Sequence, residues 1–327
     1  MKAWFIDCTP ELAALFDAGA APVPPGVRIH RGDPDAAAIL AMAQDAQVLM
    51  VEHTVIPDAV FARAPGLRAI VFMGTGAGTY VDAALAARHG VAVLTTPGYG
   101  SVAVAEHAFA LMMAGARRIA RMDREIRAGL WQPRGGLQLA GRKVAVLGLG
   151  GIGRAFAERC AAFGMTVAGW NRSALDHPHY CPDPEEEEAL RGADVVSLHL
   201  TLNQATRGFL DAARLALPAP GFLLVNTARS QLIDPAALTA ALDSGQVGHL
   251  ATDVFDAEPV APDDPLLARD DVTLTAHAAY MTRDAYLELW KRTCAQVQAA
   301  RDGSAQGSVA PARSGESVPQ GASPRLP

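Results

Sequence analysis

Short apolar runs separated by helical segments set the rhythm of the first hundred residues. Ala3–Ile6, Val27–His30, Val48–Val51, Ala69–Phe72 and Val91–Leu94 read as strands, and Ala36–Gln44, Pro57–Ala64 and Val81–His89 as helices. Strands and helices in alternation imply a parallel sheet covered by helices. A second series follows: Val144–Leu147, Thr166–Trp170, Val195–Leu200, Phe222–Asn226, Leu250–Val254 and Val272–Thr275. Between the two series, Val102–Ile119 is helical and apolar on more than one face, the pattern of a buried helix crossing between domains. Its last turns are basic, with Arg117, Arg118 and Arg121. Thr282–Arg301 predicts one more helix, placed to return to the first domain. The predicted fold class is therefore α/β, with two doubly wound parallel-sheet domains. From Asp302 the chain is rich in Gly, Ser, Pro and Ala without apolar periodicity, which predicts a disordered tail over 302–327.

One stretch of the second series carries a ligand signature. Val144–Leu147 is followed by Gly148, Leu149, Gly150, Gly151, Ile152 and Gly153, and then by a helical segment, Arg154–Phe163. GxGxxG spacing between a strand and a helix is the context a dinucleotide requires. The glycines allow a tight turn, close approach of a pyrophosphate and helix-on-strand packing, and the helix N-terminus offers unpaired N–H groups. A similar argument applies to the loop after Ala69–Phe72, where Gly74, Gly76 and Gly78 stand at the carboxyl end of a predicted parallel strand. Backbone N–H groups around Thr75, Gly76, Ala77 and Gly78 suit a small carboxylate, and a plain turn is the alternative.

Composition narrows the possibilities. At 327 residues, half of them hydrophobic, the chain can bury two ordinary cores. A net charge of −6 without a basic stripe argues against a general nucleic-acid binder. Cys8, Cys160, Cys181 and Cys294 lie far apart with no CxxC pair, the pattern of reduced thiols and not of a disulfide frame or a zinc site. No apolar run reaches membrane-spanning length, and the N-terminus reads as a strand and not as a secretion signal, so the expected location is the cytoplasm. The acidic run Glu185–Glu188 reads as a solvated helix face.

Three polar residues stand just past strands of the second series: Arg229, Glu258 and His277. In a parallel sheet all three reach the same rim. Hydride exchange on a 2-keto acid needs such a set. A guanidinium can grip the carboxylate and polarise the carbonyl. An imidazole can give a proton to the carbonyl oxygen and take it back, and a neighbouring carboxylate favours the protonated imidazole and fixes its orientation.

Gly148–Gly153, Asn226-Thr-Ala-Arg229, Asp253-Val-Phe-Asp-Ala-Glu-Pro259 and Thr275-Ala-His277, with Val104-Ala-Glu-His107 and Arg127-Ala-Gly-Leu-Trp131, together resemble the D-isomer-specific 2-hydroxyacid dehydrogenase family, including its glyoxylate and hydroxypyruvate reductases. The resemblance covers nearly the whole chain except the tail. It implies a Rossmann nucleotide-binding domain (101–283) inserted into a split, flavodoxin-like substrate domain (1–100 and 284–301), an active site in the cleft between them, and a homodimer joined through the nucleotide domains. It also implies that Arg229 binds substrate, His277 is the acid/base, Glu258 is its partner, and Thr75–Gly78 holds the substrate carboxylate. Thr227, Ala228 and Asp253 fall among the cofactor contacts. Several positions depart from the family pattern. Ser230 replaces a glycine, Ala276 and Thr201 replace prolines, and the Gly74–Asp82 loop is one residue longer.

The cofactor reading adds one refinement. An NAD site places a carboxylate about twenty positions past the glycines. Here Thr166–Trp170 ends in Asn171, Arg172 and Ser173, which can bond a 2′-phosphate, so NADP(H) is the expected preference with NAD(H) possible. No metal is expected. Tyr80, Tyr99, Tyr280, Glu52 and His53 are further candidates for a substrate pocket, with ordinary packing as the alternative. Two other functions stay open: a dinucleotide-sensing corepressor-like interaction protein, and a dehydrogenase of formate or phosphite type.

Overall fold

The computed structural model describes residues 2–181 and 186–303. Glu185 of the acidic run and the tail from residue 304 lie outside the described residues. The chain divides into two compact units, one built from the chain up to Tyr99 and again from Tyr286 onward, the other from Gly100–Ala285.

In the first unit the elements run β1 (Ala3–Cys8), α1 (Pro10–Asp17), β2 (Val27–Arg31), α2 (Ala36–Asp45), β3 (Val48–Val51), α3 (Ala59–Arg63), β4 (Ala69–Phe72), α4 (Ala83–Arg88) and β5 (Ala92–Thr95). All pairs are parallel, in the order β2-β1-β3-β4-β5. Helix α1 is an element the apolar runs do not predict, although Pro10 and Glu11 in its first turn are helix-start signals. One face of the sheet, with Ile6, Leu49, Val51, Ile70 and Phe72, packs on Ile39, Val60 and Phe61.

The second unit continues with α5 (Ser101–Ala116), α6 (Ile119–Arg127), β6 (Lys143–Leu147), α7 (Gly151–Ala162), β7 (Thr166–Trp170), α8 (Glu186–Leu190), β8 (Val195–Leu198), α9 (Ala212–Leu215), β9 (Phe222–Asn226), α10 (Pro235–Asp243), β10 (Val247–Thr252) and β11 (Val272–Leu274). Its parallel sheet has the order β11-β10-β9-β8-β6-β7. The strand period divides the core in two. Val144, Val146, Leu223 and Val225 face one layer, while Ala145, Leu147, Leu224 and Leu250 face the other. Each fully buried Leu or Val contributes about 1.5–3 kcal/mol by leaving water.

The last helix, α11 (Arg283–Asp302), begins in the second unit and runs mostly in the first, where Trp290 stacks edge-on to Phe16 at 4.7 Å and donates its indole N–H to Pro22 O at 2.9 Å. Asp302, expected at the start of the tail, closes this helix.

The predicted helix Val102–Ile119 is two helices. Arg118 adopts a left-handed conformation (φ 56°), its N–H donates to Gly115 O, and α6 starts at the next residue. Arg117 and Arg118 therefore sit at a break, and Arg121 belongs to α6. Helix α5 is buried as expected. Gly115 is the contact point, because a Cβ there would lie 2.8 Å from the His249 ring and 2.9 Å from Leu223.

Candidate active site

The three glycines of the turn have three separate reasons. Gly148 sits at φ 101°, where a side chain is strained, and closes the turn through its N–H to Trp170 O at 2.8 Å. A Cβ on Gly153 would run into the Gly148 carbonyl, so that glycine lets α7 pack on the turn. A Cβ on Gly150 would meet nothing within 4 Å. Gly150 is thus not required by the fold, and its open face fits the close approach of a dinucleotide's phosphates at the start of α7. Gly151 and Ile152 are the first residues of that helix, and Gly151 leaves room for Ser101, whose Oγ would be 2.8 Å from a Cβ. Asn171 ties the end of β7 to the turn, accepting the Leu149 N–H at 3.3 Å and donating to Ser173 O at 3.0 Å. Arg172 and Ser173 are exposed, and Arg172 makes no ion pair among the described residues.

Arg229, Glu258 and His277 follow β9, β10 and β11, three adjacent strands. The loop after β9 is pinned by Asn226, whose side chain accepts the Ala228 N–H at 3.0 Å and donates to Arg229 O at 2.9 Å. Arg229 uses one guanidinium donor on Ala228 O at 2.6 Å. Thr227 stands between them, with its hydroxyl buried and without a partner among the described residues. Glu258 accepts the Phe255 N–H at 2.9 Å on Oε1, and His277 Nδ1 donates to its Oε2 at 2.6 Å. Burial pushes the Glu258 carboxyl up, but the bonds from His277 and Phe255 and the charges of His277 and Arg229 outweigh it and hold it below the usual range. With Nδ1 committed to Glu258, Nε2 of His277 is the nitrogen left for a substrate oxygen.

His277 also has left-handed backbone, φ 50°, which a non-glycine residue adopts at a cost of about 1–3 kcal/mol. Asp253 offsets it. Its backbone carbonyl accepts the His277 N–H at 2.9 Å, and its carboxylate accepts the Thr275 hydroxyl (2.6 Å) and the N–H groups of Ala278 (3.0 Å) and Ala279 (2.9 Å). His107 on α5 completes the network, with Nε2 3.0 Å from the Thr275 hydroxyl and 3.5 Å from the carboxylate. Burial raises the Asp253 carboxyl, and these donors overcome it and lower it. Asp253, expected among the cofactor contacts, is 0% exposed, and its carboxylate holds the loop that carries His277. Asp253, Asn226 and His107 are the positioning residues that strand-by-strand reading misses. For Asn226 and Asp253 the signal available was a polar residue at or just past the end of an apolar strand; His107 lies within α5 and has no such signal.

The loop after β4 belongs to the first unit. Gly74 donates its N–H to Phe72 O and accepts from Thr96 N–H, so it is committed to the turn and not bared as expected. Ala77 is buried in the core and opens a short 3-10 turn, Ala77–Thr79, while Thr75 and Gly78 are exposed. Tyr80 stacks on Phe72 at 5.0 Å, Tyr99 is half-buried, and Tyr280, in the other unit, packs beside Gly100. Among the described residues there is no cluster fit to hold a metal, the four cysteines are free thiols, and no helix is long and apolar enough to cross a membrane.

The chain is similar to known proteins. Residues 109–279 match the family described as D-isomer specific 2-hydroxyacid dehydrogenase, NAD binding domain. The glyoxylate reductase of Aeropyrum pernix is 34% identical over 267 residues, 77% of this chain and 78% of that protein. The D-3-phosphoglycerate dehydrogenase of Archaeoglobus fulgidus is 32% identical over 253 residues, 74% of this chain and 47% of that protein, so this chain spans about half the length of such relatives. The crystal structure of the TT0316 protein from Thermus thermophilus superposes with a TM-score of 0.80 at 32% identity, covering 93% of this chain and 97% of that one. From the glycine turn to the histidine loop, the chain belongs to the D-isomer-specific 2-hydroxyacid dehydrogenase family.

Proposed function

We propose that this chain is an oxidoreductase that reduces a small 2-keto acid to the D-2-hydroxy acid, or runs the reverse oxidation, with NADP(H) preferred over NAD(H). The observation that carries the reading is the His277–Glu258 pair: an imidazole fixed through Nδ1 at 2.6 Å, on a loop braced by Asp253. A bound nicotinamide supplies or accepts the hydride. His277 holds the proton for the carbonyl oxygen at Nε2 and retrieves it in reverse, and Glu258 orients the imidazole through Nδ1. Arg229 retains four of its five N–H donors for the substrate carboxylate and carbonyl. Thr75–Gly78 lends backbone N–H groups to the carboxylate. Gly148–Gly153, with Thr227 and Ala228, hold the dinucleotide.

The NADP preference is supported by the end of β7, where no carboxylate opposes a 2′-phosphate and the exposed Arg172 and Ser173 can bond one. A charge-assisted bond is worth about 1.5–3 kcal/mol, one to two orders of magnitude in preference. A homodimer is supported by exposed apolar side chains on and after α6: Ile119, Ile126, Leu130 and Trp131, the last 84% exposed. Light scattering on the purified chain tests that point, and a monomeric mass overturns it. Glyoxylate and hydroxypyruvate are the first substrates to try. Turnover of a 2-keto acid panel with both cofactors is the decisive experiment. His277→Ala is expected to lose about 10²–10⁴-fold in kcat/KM, and Arg229→Ala to lose activity chiefly through substrate binding. Full activity in either variant refutes its assigned role, and a clear NADH preference refutes the cofactor assignment.

A further inference from the structure

The loop that carries Arg229 is tied through its backbone and loose in its side chains. Asn226 holds Ala228 and Arg229, Leu232 donates its N–H to Arg229 O at 3.3 Å, and Ile233 donates to Ser230 O at 2.9 Å. Two hydroxyls of the same four residues, those of Thr227 and Ser230, are buried without a hydrogen-bond partner among the described residues. Thr227 is assigned to the dinucleotide. Ser230, one of the departures from the family pattern, has no task. Buried polar groups find a partner in the great majority of cases, so an unmatched hydroxyl next to a substrate-binding arginine needs a reason.

The surroundings of Ser230 supply one. A cavity of about 70 Å³ separates the loop after β9 from the loop after β10, which runs on to Glu258. Asn226 and Ser230 line it from the first loop, and Thr252, Val254, Phe255 and Asp256 from the second. Protein interiors have few voids larger than a water molecule, so these two loops have room to approach each other. Where the strands end they are already bridged: the Thr252 hydroxyl accepts the Val254 N–H at 3.2 Å and donates to Asn226 O at 3.3 Å. Ser230 is a second hydroxyl on the same cavity, further along the loop, with its bond unmade. Arg229 is meanwhile parked on its own neighbour, one guanidinium donor bonded to Ala228 O at 2.6 Å. A carboxylate offers that donor a charged acceptor, and a shift of the side chain toward it releases Ala228 O.

We propose that Ser230 is a positioning residue: when Arg229 engages the substrate, the cavity narrows and the Ser230 hydroxyl donates to a backbone carbonyl of the 254–256 segment, locking the Arg229 and Glu258 loops together. This rests on the 2-keto acid reading above. The hydroxyl has no partner in the chain alone and gains one in the complex, so its bond adds to substrate binding and not to the resting fold. An interaction made equally in the ground-state complex and in the transition state appears in KM and leaves kcat alone.

Steady-state kinetics with NADPH on glyoxylate, pyruvate and hydroxypyruvate, with melting curves of the ligand-free chain, test this. Ser230→Ala removes the hydroxyl and keeps Cβ. It should raise KM about three- to tenfold, the scale of one lost hydrogen bond, with kcat unchanged. Its melting temperature should not fall, since the group removed is a buried hydroxyl without a partner. Ser230→Thr keeps the hydroxyl, adds a methyl that is small beside the cavity, and should hold the natural KM. A natural KM in Ser230→Ala overturns the role. So does a KM raised equally in Ser230→Thr, which assigns the effect to packing. A lower melting temperature in ligand-free Ser230→Ala overturns it as well, because the hydroxyl then serves the resting fold. Absence of turnover of all three acids by the natural chain overturns the 2-keto acid reading itself, and this inference with it.

Discussion

Both sheets end in the same device, put to opposite use. At each carboxyl rim a fully buried aspartate reaches sideways and holds the loop of another strand: Asp7 holds Glu52, His53 and Thr54, and Asp253 holds Thr275, Ala278 and Ala279. In the second unit the held loop bends into a left-handed residue, and the product is an imidazole aimed at a half-exposed carboxylate. In the first unit the held loop presents a carboxyl that is sealed from water with one oxygen unused. One brace carries a half-exposed imidazole and the other a buried carboxyl. The difference lies in the residue carried by the loop and in its access to solvent.

The comparison can be broken most directly at the braces themselves. Asp253→Asn and Asp7→Asn each swap an acceptor for a donor facing backbone N–H groups, and each should cost about 1–3 kcal/mol in urea unfolding. Their kinetics should part. Displacing His277 by a fraction of an ångström is expected to lower kcat about 10²-fold in Asp253→Asn, whereas Asp7→Asn should leave kcat within a few-fold. Equal losses of kcat in the two variants would erase the distinction.

The rims should also titrate in opposite senses. Glu52 has its folded pKa raised from 4.5 to about 7, so the folded chain keeps a proton that the unfolded chain has released. Its contribution to stability falls as pH rises from about 4.5 to about 7 and is level above. Glu258 has its folded pKa lowered, so its contribution is present above the ordinary carboxylate value and is lost as pH falls through the depressed one. Unfolding at pH 5 and pH 8 should therefore show Glu52→Gln gaining on the natural chain by up to about 3 kcal/mol at the higher pH. A constant difference between the two pH values would contradict the burial of that carboxyl. The smallest effect is expected at Gly150. With open space at its Cβ position, Gly150→Ala should leave the melting temperature unchanged while weakening dinucleotide affinity about tenfold, the scale of one displaced contact. Gly153→Ala, pressed on the Gly148 carbonyl, should lower the melting temperature.

The apolar runs placed almost every strand, because strands buried on both faces are apolar along their whole length and leave little to misread. The rim positions of Arg229, Glu258 and His277 were legible for a related reason: the loop that follows such a strand lies at the rim of the sheet. What the pattern missed depends on neighbours distant along the chain. Nothing within Val102–Ile119 announces a break at Arg118, where the chain turns left-handed and the guanidinium stands 3.4 Å from Nδ1 of His249, 131 positions further on. The bracing by Asp253 was not legible because its partners, Thr275, Ala278 and Ala279, lie on another strand's loop. Gly74 is the local exception: its acceptor, Phe72 O, lies two residues back, in a closure of the turn that spacing does not reveal.

The margin of the six-stranded sheet has one more consequence. Beyond Arg172 the chain returns and passes parallel to β7 at one bridge, so that Gly169 donates to His179 O at 2.6 Å and accepts from the Cys181 N–H at 2.8 Å. A Cβ at Gly169 would lie 2.9 Å from that same His179 carbonyl, so only glycine lets the strap lie so close. The middle of an outermost strand is thereby already paired, and a stray strand from another molecule finds no free ladder there to join. A larger residue at position 169 would lift the strap and uncover that ladder, so the first symptom of such a change should be association into aggregates on warming, ahead of any fall in turnover.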